Sequence, residues 1–119
     1  MQTPPEVVFN NMEPSDAMRA RVEGEIAKLE RVYPRLIRCR VVIEAPHRHH
    51  HKGKLYNVRI HLSLPGHAEI EANRNPTDRQ SHQDVYVAVR DAFHAARRQL
   101  QDLARQRQDR ARAHEADAD

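Results

Sequence analysis

A run of histidines interleaved with basic residues is the part of the chain with the clearest potential for metal chemistry. Four of the nine histidines lie within five positions of the segment APHRHHHKGKLY, residues 45–56. Neutral imidazole is a common ligand of zinc, copper and nickel. Structural zinc sites, however, usually take ligands in pairs from separated segments and include cysteine. This run is contiguous and has no carboxylate or thiolate beside it, so its composition favours a polar, partly cationic loop that attracts anions.

We therefore interpret this segment as an accessory basic loop without a cofactor. Its members are His47, Arg48, His49, His50, His51, Lys52 and Lys54. A metal-binding or metal-responsive module built on His49, His50 and His51 is the alternative hypothesis, and under it the basic helices described below would only be solvated.

Motifs typical of enzymes are missing from the sequence. The chain has three glycines and no Gly-rich phosphate loop, nucleophile elbow or HExxH zinc helix. Ser63 and Ser81 have histidines nearby in sequence, but a nucleophile needs a base that a third group orients, and proximity along the chain does not show that geometry. We predict that the protein is not an enzyme and has no small-molecule substrate.

Basic side chains follow one side of each of two predicted helices. In the first helix Arg21, Lys28, Arg31 and Arg35 recur at intervals of seven, three and four residues, away from the apolar face. In the last helix the corresponding residues are Arg90, Arg97, Arg98 and Arg105. Arginine suits phosphate because its planar fork donates two hydrogen bonds together. Two such helices side by side would form a positive groove for an RNA backbone, although a charged face can also serve only to solvate a helix.

The aromatic residues argue against recognition by base stacking on a sheet. They are few, and nearly all fall on apolar faces: Phe9, Tyr33, Tyr56, Tyr86 and Phe93. The stacking platforms of RNA-recognition sheets need exposed rings. We therefore expect contacts to the backbone and the shape of an RNA to dominate.

The elements that must position these residues can be read from apolar periodicity. EVVFNN at residues 6–11 predicts a strand, and Ser15 caps a helix with apolar residues at steps of four, four, three and four from Met18 to Tyr33, ended by Pro34. Alternating residues predict a strand in RCRVVIEAP, and a hairpin in KLYNVRIHLSLPG and HAEIEAN. A long amphipathic helix starts at Asp84 and frays after residue 107.

The resulting order is β-α-β-β-β-α, and it predicts an α+β fold with two layers, in which two helices pack on one face of a four-stranded sheet. The 119 residues suit one domain, which we place at residues 1–107, followed by a disordered charged tail at 108–119. The net charge is +3. A single cysteine, Cys39, and the lack of an apolar leader or of a run long enough to span a membrane predict a cytoplasmic protein without a membrane partner.

Two segments resemble a known family. NNMEPSDAMRARVEGEIAKLERVYPR is similar to the opening strand and helix of the ribosome hibernation-promoting factor and RaiA family, in which the helix ends in Lys-Leu-Glu and an aromatic residue. DVYVAVRDAF with RRQL is similar to the Asp-x-Tyr-x-Ala-Ile helix that ends in Arg-Gln-Leu. The resemblance spans about residues 6 to 107 and agrees with the element order. Departures are Arg90 and Ala95, where the family often has an acid and a lysine, and the His-rich loop.

The resemblance implies a short-form factor that binds the 30S ribosomal subunit, on 16S ribosomal RNA near the decoding region, and blocks messenger and transfer RNA under stress or in stationary phase. By position, Lys28, Arg31, Arg35 and Arg98 match the basic RNA-facing positions of the family. Helical geometry adds Arg90, Arg97 and Arg105 to the predicted RNA-binding residues. Whether such a factor preserves 70S monomers or promotes 100S dimers is not encoded in these motifs.

Overall fold

A computed structural model describes residues 1–45, 56–74 and 84–117. The elements are β1 (Glu6–Asn10), α1 (Asp16–Val32), β2 (Arg38–Glu44), β3 (Asn57–Leu64), a short 3-10 turn (Pro65–His67), β4 (Ala68–Arg74) and α2 (Val85–Asp117). The predicted order and the α+β class are confirmed.

The four strands form one sheet in the order β1-β2-β3-β4. β1 pairs with β2 in parallel, and the two remaining pairs are antiparallel. A parallel pair needs a long crossover, which α1 supplies, whereas β3 and β4 are joined by a tight turn. Gly66 in this turn has a φ of 78°, a conformation that glycine adopts without steric cost.

α1 starts and ends where its sequence predicts. The Ser15 hydroxyl accepts a hydrogen bond from the Met18 N–H at 3.2 Å, which satisfies one of the free donors of the first turn. The helix ends at Val32, and the Tyr33 N–H closes the last turn on the Leu29 carbonyl at 2.9 Å. The predicted apolar face is buried from Met18 to Tyr33.

α2 starts as predicted but is longer. The Asp84 carboxylate accepts the Tyr86 N–H at 2.8 Å, as a cap should. The helix then continues to Asp117, instead of fraying after Arg107. Residues 108–117 include three alanines and two arginines, which are good helix formers, and extending an existing helix needs no new nucleus. The division into a domain at 1–107 and a tail stays a prediction.

One face of the sheet carries the core. Side chains at alternate strand positions, such as Val41, Ile60 and Leu62, pack with the buried faces of both helices, including Ile26 and Phe93. The other face bears Arg38, Arg40, Arg59 and His61, all partly or fully exposed, as expected from the alternation of the strands. Both helices therefore cover the same side of the sheet, which brings them next to each other.

The far end of the helix pair is tied together by Arg107. Its guanidinium donates to the hydroxyl of Tyr33, at the end of α1, and at 2.9 Å to the carbonyl of Pro65 in the β3–β4 turn. It also lies 5.8 Å from the centroid of the Tyr33 ring, within the range of a cation–π interaction. Arg107 thus acts as a structural link and is not available to a ligand.

Cys39 gives the folded state a pH dependence. Its side chain is buried in the core, and burial, with a smaller contribution from the charge of Glu30, raises the pKa of the thiol from 9.0 to about 12. Above pH 9 the unfolded chain ionises at this position while the folded chain does not. The contribution of the neutral thiol to the free energy of unfolding is therefore fully present below about pH 9. It is lost as the pH rises towards 12.

We expect urea unfolding midpoints to fall more steeply between pH 8.5 and 11 for the wild type than for Cys39→Ala. The variant removes the thiol but leaves every other titrating group in place, so the difference between the two slopes isolates Cys39. Parallel pH profiles would contradict this assignment.

Candidate nucleic-acid interface

A groove runs between α1 and α2 on the outer surface of the helical layer. The side chains that line it are Arg21, Glu25, Lys28 and Leu29 from α1, and Arg90, Phe93, His94 and Arg97 from α2. The helices run in the same direction, because Tyr33 at the end of α1 contacts Arg107, which lies beyond the groove on α2. Side chains at successive turns of the two helices therefore face each other along the groove.

The floor of the groove is apolar and its walls are basic. Leu29 and Phe93 are each 2% exposed and close the floor. The walls carry four permanently cationic side chains, on both helices, and one carboxylate. His94 adds an exposed imidazole to the α2 wall.

Glu25, the one acid among the described residues that line the groove, already pairs with two cations. Glu25 lies 3.2 Å from the Lys28 ammonium and 3.6 Å from the Arg21 guanidinium, and only 12% of its side chain is exposed. The Glu25 carboxylate holds the two cations of the α1 wall in place and neutralises one of their two positive charges. On the other wall, Arg90 lies 3.5 Å from Asp91, and half of its side chain stays exposed. The groove keeps a positive balance that suits a phosphate backbone.

Three of the seven predicted RNA-binding residues meet in this groove: Lys28, Arg90 and Arg97. Arg31, Arg98 and Arg105 are exposed but do not line it. Arg35 follows the end of α1 and lines a separate depression with Met1 and Pro65. The predicted set thus divides into a groove cluster and an outer group, and its role in RNA binding stays a prediction.

Two basic residues of the groove, Arg21 and His94, were not among the predicted site residues. Arg21 precedes Lys28 by seven residues and belongs to the predicted stripe, but the family likeness did not single it out. His94 lies four residues after Arg90 and three before Arg97, a spacing that puts it on the same helix face. That spacing could have identified His94, because any side chain between two groove arginines at these intervals shares their face.

The accessory basic loop lies outside the described residues. His47, Arg48, His49, His50, His51, Lys52 and Lys54 are all within residues 46–55. Across residues 1–45, 56–74 and 84–117, no group of three or more His, Cys, Asp or Glu side chains is arranged to hold a metal ion. The same part of the chain has no helix that is both long and apolar enough to cross a membrane.

The exposed face of the sheet has a different electrostatic character. Glu6 lies 3.2 Å from Arg40 and 3.8 Å from Arg38, and Glu44 lies 3.6 Å from Arg59. The arginines of this face are therefore paired with acids from neighbouring strands. Three glutamates line the depression on this face together with its three arginines and His61, whereas the groove between the helices has four Lys or Arg side chains and one acid. The groove is therefore the better candidate for nucleic acid.

Comparisons with known proteins support the fold and the family. The family described as sigma 54 modulation protein / S30EA ribosomal protein matches residues 6–108. The N-terminal domain of Protein Y from Thermus thermophilus is similar in structure, with a TM-score of 0.65 and 22% identity over 87% of this chain and 99% of that one. A ribosomal subunit interface protein from Coxiella burnetii has a TM-score of 0.67 and 17% identity over 84% of this chain and 96% of its own. No curated protein matches the chain.

The two structural neighbours share the fold at low identity. The family match runs from the start of β1 to residue 108, in the second half of α2. It also agrees with the resemblance drawn from the two helical motifs. The chain therefore belongs to the sigma 54 modulation protein / S30EA ribosomal protein family.

Proposed function

We propose that this protein binds the small ribosomal subunit through the groove between α1 and α2 and silences translation by occupying the path of messenger and transfer RNA. The observation that carries the proposal is the convergence of Lys28 from one helix with Arg90 and Arg97 from the other on a single groove. Family membership supplies the ribosome as the partner.

The shape and charge of the groove suit an RNA backbone better than a small molecule. Its cationic walls are on separate helices, so a continuous anionic strand can be contacted from both sides at once. Its floor is closed by buried Leu29 and Phe93, which leaves no deep pocket for a small substrate. Ribosomal RNA offers such a strand, and the 16S RNA near the decoding region is the segment that the family likeness implies.

Inhibition in this proposal does not require any covalent bond to be made or broken. A protein that covers the decoding region excludes messenger and transfer RNA by occupancy. The factor would act in the cytoplasm, where ribosomes translate. The exposed Arg31, Arg98 and Arg105 are available to extend the contact beyond the groove.

Cosedimentation with purified subunits tests this proposal. We expect the protein to travel with 30S subunits in sucrose gradients, and expect binding to weaken steeply with salt. If the four cations of the groove each neutralise one phosphate, the slope of log K against log salt should be roughly −3 to −4. Messenger RNA with transfer RNA in the P site should compete with the protein.

The control is 50S subunits at the same concentrations, which carry ribosomal RNA but no decoding region. Equal binding to both subunits, a flat salt dependence, or binding to 30S subunits that saturating messenger and transfer RNA leaves unchanged would each contradict the proposal.

A further inference from the structure

An exposed aromatic residue, Tyr86, lies in the first turn of α2, four residues before the groove residue Arg90. Tyr86 is 42% exposed, and it is the only large hydrophobic side chain exposed to this degree in the described part of the chain. The remaining aromatic residues, Phe9, Tyr33, Tyr56 and Phe93, belong to the core or pack against it. The expectation that aromatic residues lie on apolar faces therefore has one exception among the described residues, and it is on the helix that supplies one wall of the groove.

The helical register aligns Tyr86 with the arginines of the groove. Tyr86 precedes Arg90 by four residues and Arg97 by eleven. At 3.6 residues per turn, these three positions fall within about 40° of each other around the helix axis, and Tyr86 lies about 6 Å before Arg90 along it. An RNA strand that follows the α2 wall past Arg97 and Arg90 would reach the ring next.

The backbone at this point is held in place. The Tyr86 N–H donates to the Asp84 carboxylate at 2.8 Å, and the Ala88 N–H donates to the Asp84 carbonyl at 3.0 Å. The first turn of α2 is thus capped, and rather more than half of the surface of the residue is covered. A tyrosine on an ordered backbone has only two side-chain torsions to fix, so it loses little conformational entropy when a flat ligand stacks on it.

The charge around Tyr86 favours a base over a phosphate. The Asp84 carboxylate would repel a phosphate in this first turn, whereas a nucleobase is neutral. Within α2, the cations begin one turn later, at Arg90. The arrangement therefore separates a neutral, flat contact from the ionic contacts that follow it.

From these observations we infer that Tyr86 forms a stacking subsite for one unpaired nucleobase at the entrance to the groove, with the phosphates of the same strand held by Arg90 and Arg97. This inference rests on the proposed function and refines it, because it requires the bound RNA to be single-stranded at this point. Bases within a duplex are stacked on their neighbours and cannot present a free face.

Three substitutions separate stacking from other roles of the ring. Tyr86→Phe keeps the aromatic face, Tyr86→Leu keeps an apolar side chain without one, and Tyr86→Ala removes both. Binding to 30S subunits should be unchanged in the Phe variant and about tenfold weaker in the Leu and Ala variants, a typical loss for one stacked base. The salt slope should stay that of the wild type in all three, because no ionic contact is removed.

Arg97→Glu serves as the reference for the groove itself, since it should weaken binding and also reduce the salt slope. If Tyr86→Leu binds like the wild type while Arg97→Glu is weak, the stacking inference is wrong and the proposed function stands. If Arg97→Glu also binds like the wild type, the groove is not the binding site, and both fail.

A fluorescent variant gives an independent readout. The chain has no tryptophan, so Tyr86→Trp introduces a single reporter at the proposed subsite. Stacking on a base should quench its emission when 30S subunits are added and protect it from acrylamide. Unchanged emission and unchanged acrylamide quenching in a complex that forms normally would overturn the inference.

Discussion

Reversing the charges of Arg97 and Arg98 together is expected to release the protein from 30S subunits. Arg97 lines the groove opposite the α1 wall, and Arg98 is exposed on the adjoining surface of α2. Each hydrogen bond between an arginine and a phosphate contributes about 1.5 kcal/mol or more, so losing two should weaken binding by roughly 100-fold, and the new carboxylates would add repulsion. Cosedimentation at constant salt measures the loss.

The matched control is the double reversal of Arg110 and Arg112. These residues are exposed near the far end of α2, so the change in net charge is the same while the groove is left intact. We expect this variant to lose only the small part of the affinity that depends on overall charge. An equal loss in the two double variants would mean that the effect comes from net charge and not from a defined site.

The single variants Arg97→Glu and Arg98→Glu show how much each arginine contributes to binding. Because Arg97 lines the groove and Arg98 does not, Arg97→Glu alone should account for most of the loss. A larger effect for Arg98→Glu would move the interface onto the outer surface of α2, where Arg31 and Arg105 are also exposed.

Phe93→Ala is expected to cost about 3–5 kcal/mol of unfolding free energy, the range for removing a buried phenylalanine side chain. Phe93 is 2% exposed, packs in the core between the helices and the sheet, and closes the floor of the groove. Since small domains have only about 5–15 kcal/mol of stability, this loss would be a large fraction of the total. Urea unfolding followed by circular dichroism measures it.

Phe93→Leu is the control, because it keeps most of the buried volume and should cost markedly less. A Phe93→Ala variant that loses less than about 1 kcal/mol would contradict the burial of this residue, since even a modest core cavity costs more. The leucine variant should still bind 30S subunits, because the charged walls are unchanged.

Much of the fold could be predicted from the sequence, for a physical reason that individual elements make clear. The step of about four residues from Met18 to Tyr33 and the alternation from Val58 to Leu64 each match one buried face, so periodicity alone located α1 and β3. Ser15 and Asp84 are caps whose side chains satisfy free N–H groups, and this local chemistry set where the helices begin.

The end of α2 was harder to predict. No apolar side chain after Ala104 lies against the core among the described residues, so hydrophobic periodicity has no signal there. The helix nevertheless continues to Asp117. Arg98, Asp102, Arg105, Asp109 and Arg112 alternate in charge at steps of four and three, and such spacing favours an exposed helix through attraction between neighbouring turns.

The candidate site was predicted only in part, because the rotation of one helix against another is a tertiary property. Helical spacing correctly put Arg97 and Arg98 off the apolar face, but it could not tell which of the two points towards α1. Arg35, one of the predicted set, lies in a different depression because α1 ends at Val32, so helical spacing no longer sets the direction of its side chain. The role of Arg107 also depends on tertiary contacts, since its partners Tyr33 and Pro65 are distant in sequence.

Site-directed crosslinking tests most directly whether the groove between the helices faces ribosomal RNA. A photoreactive phenylalanine analogue would replace His94, which is exposed in the groove, and in a second protein His61, on the exposed face of the sheet. After irradiation of each complex with 30S subunits, we expect the probe at position 94 to crosslink to 16S RNA around the decoding region and the probe at position 61 to give little or none. Crosslinks to 16S RNA from position 61, with none from position 94, would contradict the account.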